Sequence, residues 1–358
     1  MAFVRASGFN AFVAAATGQI INWIRDPAKY KVNQYTQLVR SEQPVGVYYR
    51  LHADDSVRVV TDEEHAWADG DSRRQKLSNA EGQRFDTVEF VCKRRNYGSK
   101  IGWQALESGK RDQLNLLIAN TKGVQNELMI NRTQRVVTML ENAANWPASS
   151  VGTATALGGG FWSAGSDTAP FVKKTLLQVA TNIHLSTNGM ASDLDNEEDV
   201  GLNLVLSPAA ATTISSSPEI HAYLSRSPFA LQQVVGGKRG QNALWGLPEY
   251  LYGFKVVVEN AVRVSARANA DGTEDATAAR AWVKALNSAL VVSRPGGLEG
   301  QIGAPSFSTA QIYYYNKELS VETFDDAEDE LTRVYAQENV TEVIAAARAG
   351  FLITNLFS

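Results

Sequence analysis

The sequence predicts a mixed α+β chain: an N-terminal arm, a long β-hairpin, one very long helix, and an α/β half that returns to β structure at the C-terminus. Three observations predict it. Two β-prone runs, 45–51 and 84–92, flank a highly charged segment that contains Gly70. No proline falls between Lys110 and Asn145, and Pro147 follows. Beyond about residue 200, short apolar runs alternate with segments that open on Ser-Pro, a helix-start signal. With 44% hydrophobic and 20% charged residues, the composition excludes wholesale disorder. At roughly 150 residues per domain, 358 residues make two domains or one elaborate one.

Residues 1–40 read as an arm, with Phe12, Val13, Ala16, Ile20 and Trp23 on a short amphipathic segment that ends before Asp26-Pro27. The apolar run 12–16 is broken by Thr17, Gly18 and Gln19, which disfavours a secretory signal. The hairpin covers residues 41–90, with a further β-prone run at 57–60. Two-stranded ribbons are marginal alone in water. This one therefore either folds back on its own domain or, the preferred reading, lies on a neighbouring subunit.

The proline-free stretch 110–145 predicts a helix of roughly 54 Å if unbroken. Leu114, Leu117, Ile118, Val124, Leu128, Met139 and Leu140 form its approximate apolar stripe, and Gly123 is a plausible bend. After a glycine- and serine-rich connection, Asp167-Thr168-Ala169-Pro170 opens a helix over 171–184, whose apolar face is Val172, Leu176, Val179 and Ile183. Strands are expected at 202–206, 254–259, 289–293 and 311–315, helices after Ser207-Pro208 and Ser217-Pro218-Glu219, and an exposed loop over 266–279. The β-prone runs 331–336, 342–346 and 351–356 close the chain.

Chemistry is sparse. A net charge of -4 argues against a protein that grips nucleic acid, because phosphate binding needs surplus Lys and Arg. The single cysteine, Cys92, allows neither an intrachain disulfide nor a cysteine metal cluster. No apolar stretch approaches the ~20 residues of a membrane helix. Gly160-Phe161-Trp162-Ser163 lacks the spacing of a nucleophile elbow. In Gly236-Gly237-Lys238-Arg239-Gly240 an arginine stands where a phosphate loop needs Ser or Thr. Glu64-His65 lacks the second histidine of a zinc-protease helix. The acidic run 193–199 lacks the turn glycine and closing glutamate of a calcium loop. The cluster Asp325, Asp326, Glu328, Asp329 and Glu330 reads as a repelling surface, and His184 as a helix C-terminal cap. Basic clusters at Arg73-Arg74, Lys93-Arg94-Arg95, Lys173-Lys174 and Lys238-Arg239 are either solvated faces or partners for acidic loops on another copy. No cofactor or metal is implied, and no catalytic constellation assembles.

Four stretches carry a resemblance. They are Asn131-Arg132-Thr133-Gln134-Arg135-Val136 with Asn142-Ala143-Ala144-Asn145-Trp146; Leu204-Val205-Leu206-Ser207-Pro208 followed by Pro218-Glu219-Ile220; Gly246-Leu247-Pro248 leading into Gly253-Phe254-Lys255-Val256-Val257-Val258; and Ala349-Gly350-Phe351-Leu352-Ile353. In their order and spacing, over about residues 85–356, the chain resembles the major capsid proteins of tailed bacteriophages, with the Hong Kong 97-type fold.

The resemblance implies an N-terminal arm over 1–40 and an extended loop over 41–90. It implies a peripheral domain over 91–185 that holds the spine helix, an axial domain over 186–325, and C-terminal strands over 326–358 that return to the peripheral domain. It implies a structural, non-catalytic subunit that assembles with itself into hexamers and pentamers of an icosahedral shell around double-stranded DNA. That DNA is only loosely contacted, and the subunit has no membrane partner. Portal and scaffolding proteins are expected partners and decoration proteins conceivable ones, with assembly in the host cytoplasm and final residence in the virion. The short arm leaves no room for a fused scaffolding segment. Trp67, Arg73, Arg74, Lys76, Arg132 and Arg135 are the expected intersubunit contacts. Some relatives cross-link Lys to Asn. Lys76 is the only lysine at the loop tip, and no partner for it is identifiable. Two alternatives remain at this point: an encapsulin-type shell that packages a cargo enzyme, and a hydrolase on the α/β half with His184 or His221 as base.

Overall fold

The computed structural model describes residues 29–51, 85–111, 116–187, 202–235, 242–265, 275–293 and 308–358. The amphipathic segment expected in the arm, the strand at 57–60, the acidic run 193–199 and the glycine-rich loop at 236–240 lie outside the described residues.

In chain order the elements are α1 (Val32–Tyr35), β1 (Gln37–Ser41), β2 (Val45–Leu51), β3 (Phe85–Val91), β4 (Lys93–Gly102), α2 (Trp103–Arg111), α3 (Leu116–Glu141), β5 (Val151–Thr153), α4 (Ala154–Gly158), α5 (Phe171–Ser186), β6 (Leu202–Leu206), α6 (Pro208–Ser215), α7 (Pro218–Arg226), α8 (Pro228–Val235), β7 (Tyr250–Leu251), β8 (Phe254–Val258), β9 (Val262–Val264), β10 (Arg280–Trp282), β11 (Ser288–Ser293), β12 (Ala310–Tyr315), β13 (Ser320–Asp326), β14 (Leu331–Ile344) and β15 (Phe351–Thr354).

A six-stranded sheet, ordered β5-β15-β11-β6-β8-β7, organises the molecule. Its central strands carry apolar residues at most positions on both sides because both faces are covered. Successive residues point to opposite faces, and the packing follows that alternation. Leu204, Leu206, Val256, Val258, Ala289, Val291, Phe351 and Ile353 join one core, which includes Val172, Leu176, Val179 and Ile183 of α5 and Ala210, Ala211 and Ile214 of α6. Val205, Val257, Leu290, Val292 and Leu352 join a second core with Met129, Val136, Val137 and Leu140 of α3.

The second core continues into a five-stranded sheet, in which the path β1-β12-β14-β13 is joined by β4 on β14. Val340 pairs with both Tyr314 of β12 and Lys93 of β4, so those two strands flank β14 at that point. β14 is one strand of 14 residues, where the two β-prone runs at 331–336 and 342–346 predict two. β15, by contrast, inserts between β5 and β11 of the six-stranded sheet.

α3 spans 26 residues, about 39 Å at 1.5 Å per residue, and runs uninterrupted through Gly123. Its end at Glu141, short of the expected Asn145, has a local cause. The Asn142 side chain accepts from the Ala144 N–H and caps a separate 3-10 turn, Ala143–Asn145. Asn145 Nδ2 and Trp146 Nε1 then donate to the terminal carbonyls of Met139 and Leu140, each at 2.8 Å, which satisfies acceptors that a helix end leaves open. The other helix starts behave as their sequences require. Ser207 accepts from Ala210 N at 3.1 Å and Ser217 from Ile220 N at 3.4 Å, each with proline at the first helical turn.

Residues 29–41, at the end of the expected arm, pack into the body. Tyr30, Val32 and Tyr35 are buried in the second core, and β1 runs parallel to β12 from Gln37 opposite Gln311 to Ser41 opposite Tyr315.

Candidate assembly surfaces

The hairpin leaves the body at a defined root. β2 and β3 pair antiparallel from Val45 opposite Val91 to Leu51 opposite Phe85. On the inward face the Phe90 ring stacks on Tyr313 at 4.2 Å between centroids, and Tyr48 stacks on the same ring at 5.9 Å. Gly46 lies under Phe90. A Cβ there would meet the ring at 2.5 Å, so only glycine admits this contact. Burial, with Tyr48 beside it, pushes the Tyr313 phenol up to about 12. The outward face carries Val45, Val47 and Val91, all about half exposed. Cys92, at the β3–β4 junction, is buried with its Sγ 3.7 Å from the Tyr313 carbonyl oxygen, and burial raises its thiol pKa.

Two of the six expected contact residues are in view, and both work inside the chain. Arg132 is fully buried. Its Nε donates to Glu338 Oε2 at 2.9 Å, its Nη1 to Glu318 Oε1 at 2.9 Å and its Nη2 to the Glu318 carbonyl at 2.8 Å. Arg135 donates from Nε to Glu342 Oε1 at 2.8 Å and from Nη2 to Glu338 Oε1. Arg95 of β4 stands 4.0 Å from both Glu338 and Glu342. These charges clamp α3 to β14 and β4. Arg132 is thereby corrected from an intersubunit contact to an interior tie, because a side chain with no exposed surface cannot reach another copy. Arg135 has an intrachain role too, but keeps about a quarter of its side chain exposed. Trp67, Arg73, Arg74 and Lys76 lie outside the described residues.

A second polar junction ties the end of α3 to the six-stranded sheet. The buried Lys284 Nζ donates to Glu141 Oε1 at 2.6 Å, to Ser288 Oγ at 2.6 Å and to the Ser288 carbonyl at 3.1 Å. Burial pulls the Lys284 pKa down, against the pull of Glu141. Nearby, Tyr35 donates to Glu259 Oε2 at 3.0 Å, and burial with the Glu259 charge raises its phenol well above the ordinary value.

The segments weighed for chemistry have packing roles. Gly160 sits against the Phe171 ring, which a Cβ would meet at 2.5 Å, and Gly159 adopts φ +86 to end α4. Glu219 reaches across to accept from Val172 N at 2.9 Å and Lys173 N at 2.8 Å, so it caps α5 from another helix. His184 lies in the last turn of α5, where a cation is favourable, and His221 lies on α7. Among the described residues no group of three or more His, Cys, Asp or Glu side chains could hold a metal ion, and no helix is long and apolar enough to cross a membrane.

Sequence reasoning missed β4 and β13 as strands, because their charges hid them. The alternation of β4 is nevertheless legible: Arg95, Tyr97, Ser99 and Ile101 turn inward, and Arg94, Asn96, Gly98 and Lys100 outward.

A projecting hairpin root, a long helix clamped on a β-sheet, and an α/β unit that shares its sheet with the C-terminus define the architecture of the Hong Kong 97-type capsid proteins, the shell subunits of tailed phages, and this mixed α+β chain has that fold. It is similar over 97% of its length to a phage-related protein of Bordetella bronchiseptica, of which it covers 96%, at a TM-score of 0.56 and 12% identity. It is similar to the capsid of cyanophage P-SCSP1u (94% of this chain, 90% of that one, TM-score 0.53, 10% identity). It is also similar to the mature capsid of bacteriophage PhiM1 (90% and 86%, TM-score 0.50, 11% identity). No protein-family model matches the sequence, and no curated protein does. The likeness is one of fold.

Proposed function

We propose that this chain is the major capsid protein of a double-stranded-DNA phage, a structural subunit without a catalytic step. It assembles with itself into hexamers and pentamers of an icosahedral shell. The observation that carries the proposal is the fold likeness to capsid subunits along nearly the whole chain. The division of labour follows: residues 41–90 extend over a neighbouring subunit, 91–185 with 326–358 form the peripheral domain, and 186–325 form the axial domain around each capsomer centre.

Two physical features support this reading. The outward valines of the hairpin root are apolar surface that a second copy would cover. Around the 3-10 turn Ala243–Trp245 the surface is apolar again, with Leu244 82% and Phe229 69% exposed and Trp245 edge-on to Trp282 at 6.0 Å. Many modest contacts made at once give a closed shell its avidity. The mildly acidic subunit suits a wall that DNA slides past. A portal and a scaffolding protein are the expected further partners, with assembly in the host cytoplasm and final residence in the virion.

The test is negative-stain microscopy and light scattering of the purified protein, with nuclease-protected DNA measured in particles recovered from a phage-producing host. Closed shells that protect DNA are expected. A stable 39 kDa monomer at all concentrations refutes the proposal, and shells filled with a cargo protein refute the DNA assignment.

A further inference from the structure

The two flanks of β14 carry opposite charge. Among the described residues β4 pairs only with β14, and no strand lies along its far edge. Its sequence, Lys93 to Gly102, contains Lys93, Arg94, Arg95 and Lys100 and no carboxylate. Arg95 faces the interior carboxylates Glu338 and Glu342. Lys93, Arg94 and Lys100 are exposed, and among the described residues they make no ion pair. Arg94 and Lys100 share the outward face about 20 Å apart at about 3.3 Å per residue, Lys93 stands at the strand's start on the other face, and Arg94 also donates to Gln337 Oε1 at 2.7 Å.

On the other flank, β13 and the turn after it carry Asp325, Asp326, Glu328, Asp329 and Glu330. One cation answers them: Arg333 Nη2 bonds Asp326 at 2.5 Å and Asp329 at 3.0 Å. The other three carboxylates are exposed. Phe324, about half exposed and covered on one side by the Arg333 guanidinium at 5.8 Å, supplies an aromatic anchor beside them.

We infer that the acidic β13–β14 turn of one copy docks on the basic outer edge of β4 of the next. This rests on the shell reading above. The contact is head-to-tail, because pairing like edges about a two-fold axis would set lysine against lysine. Complementary potentials steer encounter and reject wrong registers. An edge strand lined with lysine and arginine is also protected against indiscriminate strand pairing. The basic edge thus discourages apolar partners and admits an acidic one.

Charge reversal in both partners tests it. One variant carries Lys93→Glu, Arg94→Glu and Lys100→Glu, a second carries Glu328→Lys, Asp329→Lys and Glu330→Lys, and a third combines all six. Circular dichroism checks the fold of each, and sedimentation with microscopy reads the assembled fraction. Each single-sided variant is expected to stay folded and to lose assembly by about ten-fold or more at low salt. The combined variant, with complementarity restored in the opposite sense, is expected to recover it. Assembly of either single-sided variant at the parent's yield overturns the contact, as does failure of a folded combined variant. A parent protein that never assembles overturns the shell reading itself, a result distinct from a parent that assembles alongside unaffected variants.

Discussion

Replacing Arg132 with methionine should be the most damaging single change in the subunit interior. The guanidinium is fully buried and donates three hydrogen bonds, one to Glu338 and two to Glu318. Methionine restores most of the volume but none of the donors. The two acceptors then fare differently. Glu318 has a side chain 37% exposed and can return to water at little cost. Glu338 cannot, because its side chain has no exposed surface; it keeps Arg135 on Oε1 and loses its partner on Oε2. Removing one member of a buried ion pair costs about 3–5 kcal/mol, and the surviving Arg135 contact places the expected loss near the lower end. At roughly 1–3 kcal/mol per molar urea, the unfolding midpoint of the unassembled subunit, followed by far-ultraviolet circular dichroism, should fall by about 1 M or more. The double variant Arg132→Met with Glu338→Leu should recover part of that loss, since the stranded charge goes with it. A midpoint shift of Arg132→Met below about 0.3 M, or a double variant weaker than the single one by the full sum, refutes the view that the charges clamp α3 to β14.

Three further outcomes are expected. Gly165→Ala should lower the melting temperature by an amount equivalent to about 1–3 kcal/mol, because the new Cβ would meet Glu219 Oε2 at 2.3 Å and push it off the first turn of α5; calorimetry of the subunit reads this, and an unchanged melt counts against it. The phenols of Tyr35, Tyr252 and Tyr313 are all raised, first by burial. The folded chain therefore keeps protons that the unfolded chain releases above about pH 10, so their contribution is complete below pH 10 and is lost as pH rises past it, for Tyr313 by about pH 12. Phenolate absorbance should show late-ionising tyrosines that titrate only as the fold is lost, and all twelve titrating near pH 10 with dichroism intact contradicts this. Deleting residues 55–80 should leave the body folded, because the Phe90–Tyr313 stack lies below the cut, while shells fail to form; global unfolding of that deletion argues that the hairpin belongs to its own domain.

Much of this was open to a reader of the sequence, and the boundary has a physical cause. Strands β6, β8, β11 and β15 declare themselves because both their faces are covered, so apolar residues dominate both, with Asn203 and Lys255 the internal exceptions. The helix starts at Ser207-Pro208 and Ser217-Pro218 declare themselves because capping is local. α3 is visible as a proline-free stripe, yet its end is set by the side chains of Asn142, Asn145 and Trp146 turning back on it, which periodicity does not register. β4 and β13 stay hidden because an edge strand can be charged on its open side, and a charged run reads as a solvated loop. The role of Arg132 was hidden for a related reason. Its partners are 186 and 206 residues away, and only the pairing of β14 with β4 and β13 brings them under the helix. Glu318, Glu338 and Glu342 therefore carried no sequence signal except the four-residue spacing of the last two, which on a strand puts them on one face.

The distribution of charge separates what holds the subunit together from what it offers to others. The charges around α3 are matched: Glu338 faces Arg132, Arg135 and Arg95, and Lys284 faces Glu141. Changing any of them is felt as stability. The exposed charges along β4 and on the β13–β14 turn are largely segregated by sign: Arg333 answers Asp326 and Asp329, while Asp325, Glu328 and Glu330 have no cation partner among the described residues. A buried, matched set makes α3, the five-stranded sheet and the C-terminal strands move as one piece. A segregated surface set gives that piece a direction, with one acidic and one basic flank about a common strand. Rigidity inside and polarity outside are the two properties a repeating wall unit needs. Here they reside on different residues of the same few strands, so variants at Arg132 should change melting without changing assembly specificity, and variants at Lys93 and Lys100 should do the reverse.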